Sequence, residues 1–298
     1  MPSLQSVRRK IDSVKKTQKI TKAMKMVAAA KLKRTQNRIL AARPYALKMR
    51  DAIRTLSRRV NREAHPLLRR REGNRILVAV VTSDRGLCGA FNANILRTAS
   101  IALKQFESAG AKVEVAVIGR KGRDFFRRRG WTIRREVVDI FDKLTFEHGM
   151  LLGSELRIID DFVEDRIDAV YVIYNEFKSA IQQRVVVERL LPIDWVVEIS
   201  DVKDLDQDRD SMPGGYLYEP SEDELLAQLL HRNIHVQSYR ILLESSAAEQ
   251  GARMTAMEGA TRNAGELIKK LTLYYNKTRQ AAITKELMDI VGGAEALK

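Results

Sequence analysis

Apolar residues near the start of the chain recur every three or four positions, beginning with Leu4, Val7, Ile11 and Val14. The spacing continues through Ala28, Leu32, Ile39, Ala42, Met49, Ile53, Leu56 and Val60. An α-helix turns once per 3.6 residues, so this series lines up as a stripe on one face. It predicts a helix over roughly 3–62 that carries a coiled-coil seam. Gln18, Thr21 and Lys25 interrupt the seam, and Pro44, which lacks a backbone donor, should bend the helix or open it locally. A second stripe runs from Ser221 to Lys298 without a proline, through Leu243, Ala247, Met254, Met257, Ala264, Ile268, Leu271, Tyr275 and Ala282. Ser221 and Glu224 make a capping box at its start, and Gly292-Gly293 resembles a helix stop. At 1.5 Å per residue the two helices would run to about 85 Å and about 110 Å, too long for the core of a globular domain.

The middle of the chain follows another rhythm. Ile76–Val81, Val113–Ile118, Ala169–Tyr174 and Arg184–Glu188 are short β-branched runs that predict strands. Helical stretches near 92–108, 120–128 and 149–165 alternate with them, which predicts an α/β domain on a mostly parallel, Rossmann-like sheet. Asp201–Asp210 is acidic, and Pro213-Gly214-Gly215 marks a turn. The expected organisation is an N-terminal coiled-coil helix over 1–65, the α/β domain over 73–200, a loop over 201–220 and a C-terminal coiled-coil helix over 221–298. The two ends would pair as an antiparallel coiled coil that other subunits surround.

Composition narrows the function. Of 298 residues 45% are hydrophobic, too many for a chain disordered throughout. The longest apolar run, Ile76–Val81, falls far short of the about 20 residues of a spanning helix. A single cysteine, Cys88, cannot form an internal disulfide and points to a reducing compartment. Arg8, Arg9 and Lys10 are not followed by the apolar segment of a secretory signal. The basic pattern also outlasts a transit peptide, so Met1 is expected to begin the working protein. Net charge is +15, and residues 1–72 hold 22 Lys+Arg against 4 Asp+Glu, a net of +18. The remainder is slightly acidic, so an acidic partner is expected at the N-terminal quarter.

The search for chemistry finds little. No Gly-Lys dipeptide and no G-x-G-x-x-G string occur, which removes the usual phosphate loops. Gly86 and Gly89 in Thr82–Gly89 could cradle a phosphate but read better as a tight strand-to-helix turn. His231 and His235 stand one turn apart with no third metal ligand in view. Asp204, Asp206, Asp208 and Asp210 alternate like a calcium loop, yet Arg209 occupies the position of the turn glycine. Cys88 has no identifiable base and reads as buried and inert. No catalytic residue, cofactor or metal is expected. Lys15, Lys16, Lys19, Lys22, Lys25, Lys31, Lys33 and Arg34 would suit DNA phosphates, which leaves a nucleic-acid-binding coiled-coil protein as the alternative. They spread around the helix, however, and no aromatic residues interleave with them for base stacking.

Three stretches carry a resemblance: Ile11–Val27, Thr82–Gly89, and Tyr275–Leu287 with Ile290–Ala294. Together they resemble the gamma subunits of F-type ATP synthases, over nearly the whole chain. The resemblance implies a rotor shaft inside a ring of three alpha and three beta subunits. It implies an α/β foot against the epsilon subunit and the membrane c-ring. Proton flow would then be coupled to conformational change at beta, with no catalysis by this chain. Met24, Arg85, Arg253, Arg279, Gln280 and Thr284 would face the acidic lever and catch loops of beta. Tyr216, Tyr218 and Glu219 would lie near the c-ring and epsilon, and Ile283–Leu297 would turn in an apolar sleeve. No nucleic acid is implied, and membrane association would be indirect, at the cytoplasmic face of a bacterial inner membrane. The chloroplast members' redox cysteine pair has no counterpart here.

Overall fold

The computed structural model describes residues 4–57, 65–69, 71, 73–141, 144–147, 156–193, 219 and 221–295. In chain order the elements are α1 (Leu4–Ser57), β1 (Arg75–Val81), α2 (Phe91–Ser108), β2 (Lys112–Ile118), α3 (Arg120–Arg128) and β3 (Ile133–Val137). They continue with α4 (Ile158–Val163), β4 (Ala169–Phe177), β5 (Gln183–Leu191) and α5 (Glu222–Glu295). The long terminal helices and a central, mostly parallel sheet are the architecture that the periodicities predict. The chain separates into two compact units, Lys31–Ala252 and Met1–Ala30 with Arg253–Lys298.

In the larger unit the sheet order is β3-β2-β1-β4-β5, parallel except for the antiparallel edge strand β5. One face of the sheet is covered by α2 and α3. Val78, Val80, Val115, Val117 and Ile173 meet Ile95, Ala99, Leu103 and Phe126 there. On the other face, Leu77, Ala79, Ala116, Ile118, Val170 and Val172 share a core with Met49, Ile53 and Leu56 of α1. The same core takes Leu226, Leu230, Ile234 and Leu242 of α5. The long helices therefore serve here as sheet-packing helices as well. This explains why nearly every residue of α5 from Ile241 to Gln250 is buried, where a two-helix seam would bury only a stripe.

One strand departs from the sequence expectations. β3 (Ile-Arg-Arg-Glu-Val) is a strand the pattern did not reveal, because charged residues fill its middle. Its ladder steps from Ile133 to Arg135 against the consecutive partners Val115 and Ala116, leaving Arg134 as the extra residue of a bulge. The expected helix over 149–165 is represented among the described residues by Ile158–Val163. Pro44 lies inside α1 on its exposed side. The acidic 201–210 stretch and the Pro213–Gly215 turn fall outside the described residues.

In the smaller unit α1 and α5 pair antiparallel. Gln18 Nε2 donates to the Thr261 carbonyl at 3.3 Å, the Thr21 and Thr261 hydroxyls bond at 2.8 Å, and Lys25 Nζ reaches Glu258 at 2.7 Å. Val7, Ile11, Ala28, Met257 and Ala264 are buried around this polar layer. Where α5 begins, the Ser221 hydroxyl accepts the Glu224 N–H at 3.3 Å, as the capping box requires.

Candidate partner-contact surfaces

The polar break in the seam is a layer of satisfied hydrogen bonds. Thr21 is only 8% exposed, and its hydroxyl also reaches the Gln18 carbonyl, as the Thr261 hydroxyl reaches the Met257 carbonyl. Each hydroxyl has one proton, so one Thr bonds within its helix while the other bonds across. Lys25 holds the Glu258 carboxyl below the usual carboxylate range through its hydrogen bond. Around the layer runs a groove of about 670 Å³ lined by Lys19, Lys22, Met26 and Arg262. Cations dominate its rim, and Met26 is 60% exposed beside Val27 at 56%.

In the larger unit, the loop after β1 spends its polar side chains on its own support. Thr82 Oγ1 accepts the Gly122 N–H at 2.8 Å, and Asn92 Oδ1 accepts the Ser83 N–H at 3.0 Å. Asp84 Oδ1 accepts the Arg120 N–H at 3.0 Å, at the start of α3. With its polar side chains committed to the backbone in this way, the segment reads as a tight structural turn. Gly119 at φ +95° allows the close approach, since a Cβ there would stand 2.2 Å from the Thr82 carbonyl oxygen. Cys88 is buried against Ser83 and Asn92. The turn is closed by Gly89 at φ +58° and Leu87 at φ +63°, and it leaves Arg85 exposed and Leu87 63% exposed.

The other expected contact residues divide between the units. Met24 is half-buried on α1 and Arg253 half-buried on α5, while Arg279, Gln280 and Thr284 are exposed further along α5. All five belong to the smaller unit and Arg85 belongs to the larger. Glu219 is exposed, and Tyr216 and Tyr218 lie outside the described residues. Toward the end of α5 an apolar band is open to solvent: Ile283 53%, Leu287 58%, Met288 66%, Ile290 72% and Val291 49%. Single exposed apolar residues are ordinary, whereas these five fall within nine positions and form a patch.

Sequence reasoning missed one polar cluster. Arg240 on α5 bonds Glu188 on β5 at 2.6 Å, the Tyr174 hydroxyl on β4 at 3.1 Å and Glu244 at 3.3 Å. Tyr174 in turn donates to Glu188 at 2.7 Å. Burial raises the Glu244 carboxyl and the Tyr174 phenol, and Glu188 and Glu244 help hold Arg240 charged. The signal available was an arginine and a glutamate four apart in an otherwise apolar run. Among the described residues His65 and His231 meet edge to face at 6.4 Å, and His235 lies half-buried on the same helix. No described helix is long and apolar enough to cross a membrane.

Comparison with known proteins identifies the family. Residues 3–297 match the sequence profile described as ATP synthase. The chain is 47% identical to the ATP synthase gamma chain of Anaeromyxobacter sp. (strain Fw109-5), and 45% identical to those of Sorangium cellulosum (strain So ce56) and Geotalea daltonii. Each alignment covers 100% of both proteins. In fold it is similar to a chain of the Euglena gracilis mitochondrial ATP synthase, from an assembly of OSCP, F1 and c-ring. The TM-score is 0.69 at 22% identity, covering 99% of this chain and 94% of that one. A chain from the central stalk and c-ring of the Tetrahymena thermophila mitochondrial ATP synthase aligns over 81% of this chain and 99% of its own length, with TM-score 0.58 at 25% identity. Paired terminal helices, an α/β unit and 45–47% identity to gamma chains over the full length lead to one assignment: this chain belongs to the ATP synthase gamma chain family.

Proposed function

We propose that the chain works as the central shaft of an F-type ATP synthase, a subunit without chemistry of its own. The observation that carries this is full-length identity of 45–47% to gamma chains, in a chain whose two ends pair antiparallel. Three alpha and three beta subunits would surround the paired helices. The α/β unit would rest with the epsilon subunit on the c-ring, at the cytoplasmic face of a bacterial inner membrane. Ion flow through the c-ring would turn the shaft, and the shaft would set the conformation of each beta subunit in turn.

A shaft shifts a catalytic subunit's equilibrium only by binding its states unequally. Moving a site from 1:99 to 99:1 takes about 5.5 kcal/mol of differential affinity. Charge-assisted hydrogen bonds contribute about 1.5–3 kcal/mol each, so a few suffice. The exposed Arg279, Gln280, Thr284 and Arg85 are suited to that role, with the half-buried Met24 and Arg253. Glu219, with Tyr216 and Tyr218, would meet the c-ring loops and epsilon.

Tagged protein should bring down alpha, beta and epsilon and restore coupled ATPase activity to membranes lacking their own shaft. Arg279→Glu should preserve assembly and lower ion pumping per ATP hydrolysed at least severalfold. Full pumping by Arg279→Glu would refute the contact assignment, and failure to co-purify would refute the shaft.

A further inference from the structure

Residues 120–135 carry eight cations (Arg120, Lys121, Arg123, Arg127, Arg128, Arg129, Arg134 and Arg135) and one carboxylate, Asp124. This is a second basic block, hidden in a part of the chain that is acidic on balance. It folds into α3 and β3, at one edge of the sheet. Some of its charge is neutralised locally. Arg127 holds Glu136 with two contacts at 2.9 Å, Arg120 meets Asp139 at 2.5 Å, and Arg134 binds Glu114 and Asp161. Among the described residues no carboxylate stands within 4 Å of Arg128, Arg129, Arg135 or Lys121, and all four are exposed. Arg129 instead lies over the Phe125 ring at 3.7 Å.

β3 pairs with β2 alone among the described strands, so its outer edge offers backbone N–H and C=O groups. Beside that edge is an open cleft of about 570 Å³ lined by Arg127, Trp131, Ile133, Arg134, Arg135 and Glu136. Trp131 is half-buried, edge-on to Phe126 at 6.3 Å, and lines the cleft with Ile133. Charge on an edge strand ordinarily keeps two sheets apart. Here the unneutralised charge has one sign, so it repels a second copy of this edge and attracts an acidic one.

From these features we infer that the β3 edge is a docking surface for an extended acidic segment of a partner polypeptide, added as a sixth strand. Main-chain hydrogen bonds would give affinity, Arg128 and Arg135 would select carboxylates, and Trp131 with Ile133 would seat one apolar side chain. A polypeptide fits better than a lipid surface or a nucleic acid. Neither of those uses strand-edge backbone groups, and the carboxylate of Glu136 is among the residues that line the cleft.

The test uses the purified full-length chain and a fluorescent heptapeptide of alternating Glu and Val, followed by anisotropy. Saturable binding is expected that weakens with salt and falls at least about tenfold in the Arg128→Glu, Arg135→Glu double variant. The same peptide N-methylated at alternate amides should bind at least about tenfold more weakly, because strand pairing needs those donors. Circular dichroism checks the fold, and Arg128→Gln with Arg135→Gln replaces the reversal if the Glu variants fail to fold. No binding, or equal binding of the N-methylated peptide, overturns the proposal. Tighter binding to vesicles of equal parts phosphatidylcholine and phosphatidylglycerol, or to single-stranded DNA, overturns it in favour of those surfaces.

Discussion

Arg240 shows how much one residue can hold. It draws α5 to β4 and β5 through Tyr174, Glu188 and Glu244, in a cluster about two-thirds removed from water at the arginine. Removing a cation from such a cluster leaves carboxylates with unmet hydrogen-bonding capacity, which costs more than the bonds themselves. Arg240→Met should lower stability by about 1–3 kcal/mol, read as a shifted urea midpoint. Keeping the charge with Arg240→Lys should recover only part of it, because Lys lacks the planar fork that reaches three partners. His235 makes a second prediction. Burial, with Arg232 and His231 nearby, lowers its pKa below the ordinary 6.5. The unfolded chain then binds the proton more readily, so this contribution is complete above about pH 6.5 and is lost as pH falls below it. Urea midpoints should decline from pH 7 toward pH 5.5, and His235→Gln should flatten that decline. An unchanged slope would dismiss His235 as its source.

At the scale of elements, the long helices were legible because their periodicity runs on for many turns. Every named seam position of α1 and α5 among the described residues is buried or half-buried. The strands β1, β2, β4 and β5 were legible as β-branched runs, each a little longer in the fold. β3 was not, since its register in the sheet comes from pairing with β2 while Arg134, Arg135 and Glu136 mask any alternation. The Arg240 cluster escaped for a similar reason: its partners are distant in sequence and meet only when α5 lies on the sheet. The Thr21–Thr261 bond is a third case, visible only as a break in a pattern. A double-mutant cycle on Thr21→Val and Thr261→Val should give a coupling of about 0.5–1.5 kcal/mol by denaturant titration. Zero coupling would mean that each hydroxyl is satisfied within its own helix.

At the scale of the molecule, one continuous helix changes its environment along its length. Residues of α5 between Leu226 and Gln250 are mostly buried, whereas those from Ala281 to Gly292 are almost all exposed. Backbone protection follows local burial and packing, so stability should be uneven along the same helix. In the free chain, amides of Ile241–Gln250 should exchange with deuterium orders of magnitude more slowly than those of Ile283–Val291. Assembly should slow exchange in the second group if that end turns in an apolar sleeve. Equal rates before and after assembly would argue against the sleeve.

The bare apolar end of α5 also bears on how a cell must make this protein. Until its neighbours arrive, Ile283, Leu287, Met288, Ile290 and Val291 offer a sticky patch to any other newly made chain. Production out of step with the companion subunits should yield insoluble material or proteolysis, and co-translation in balanced amounts should rescue the yield.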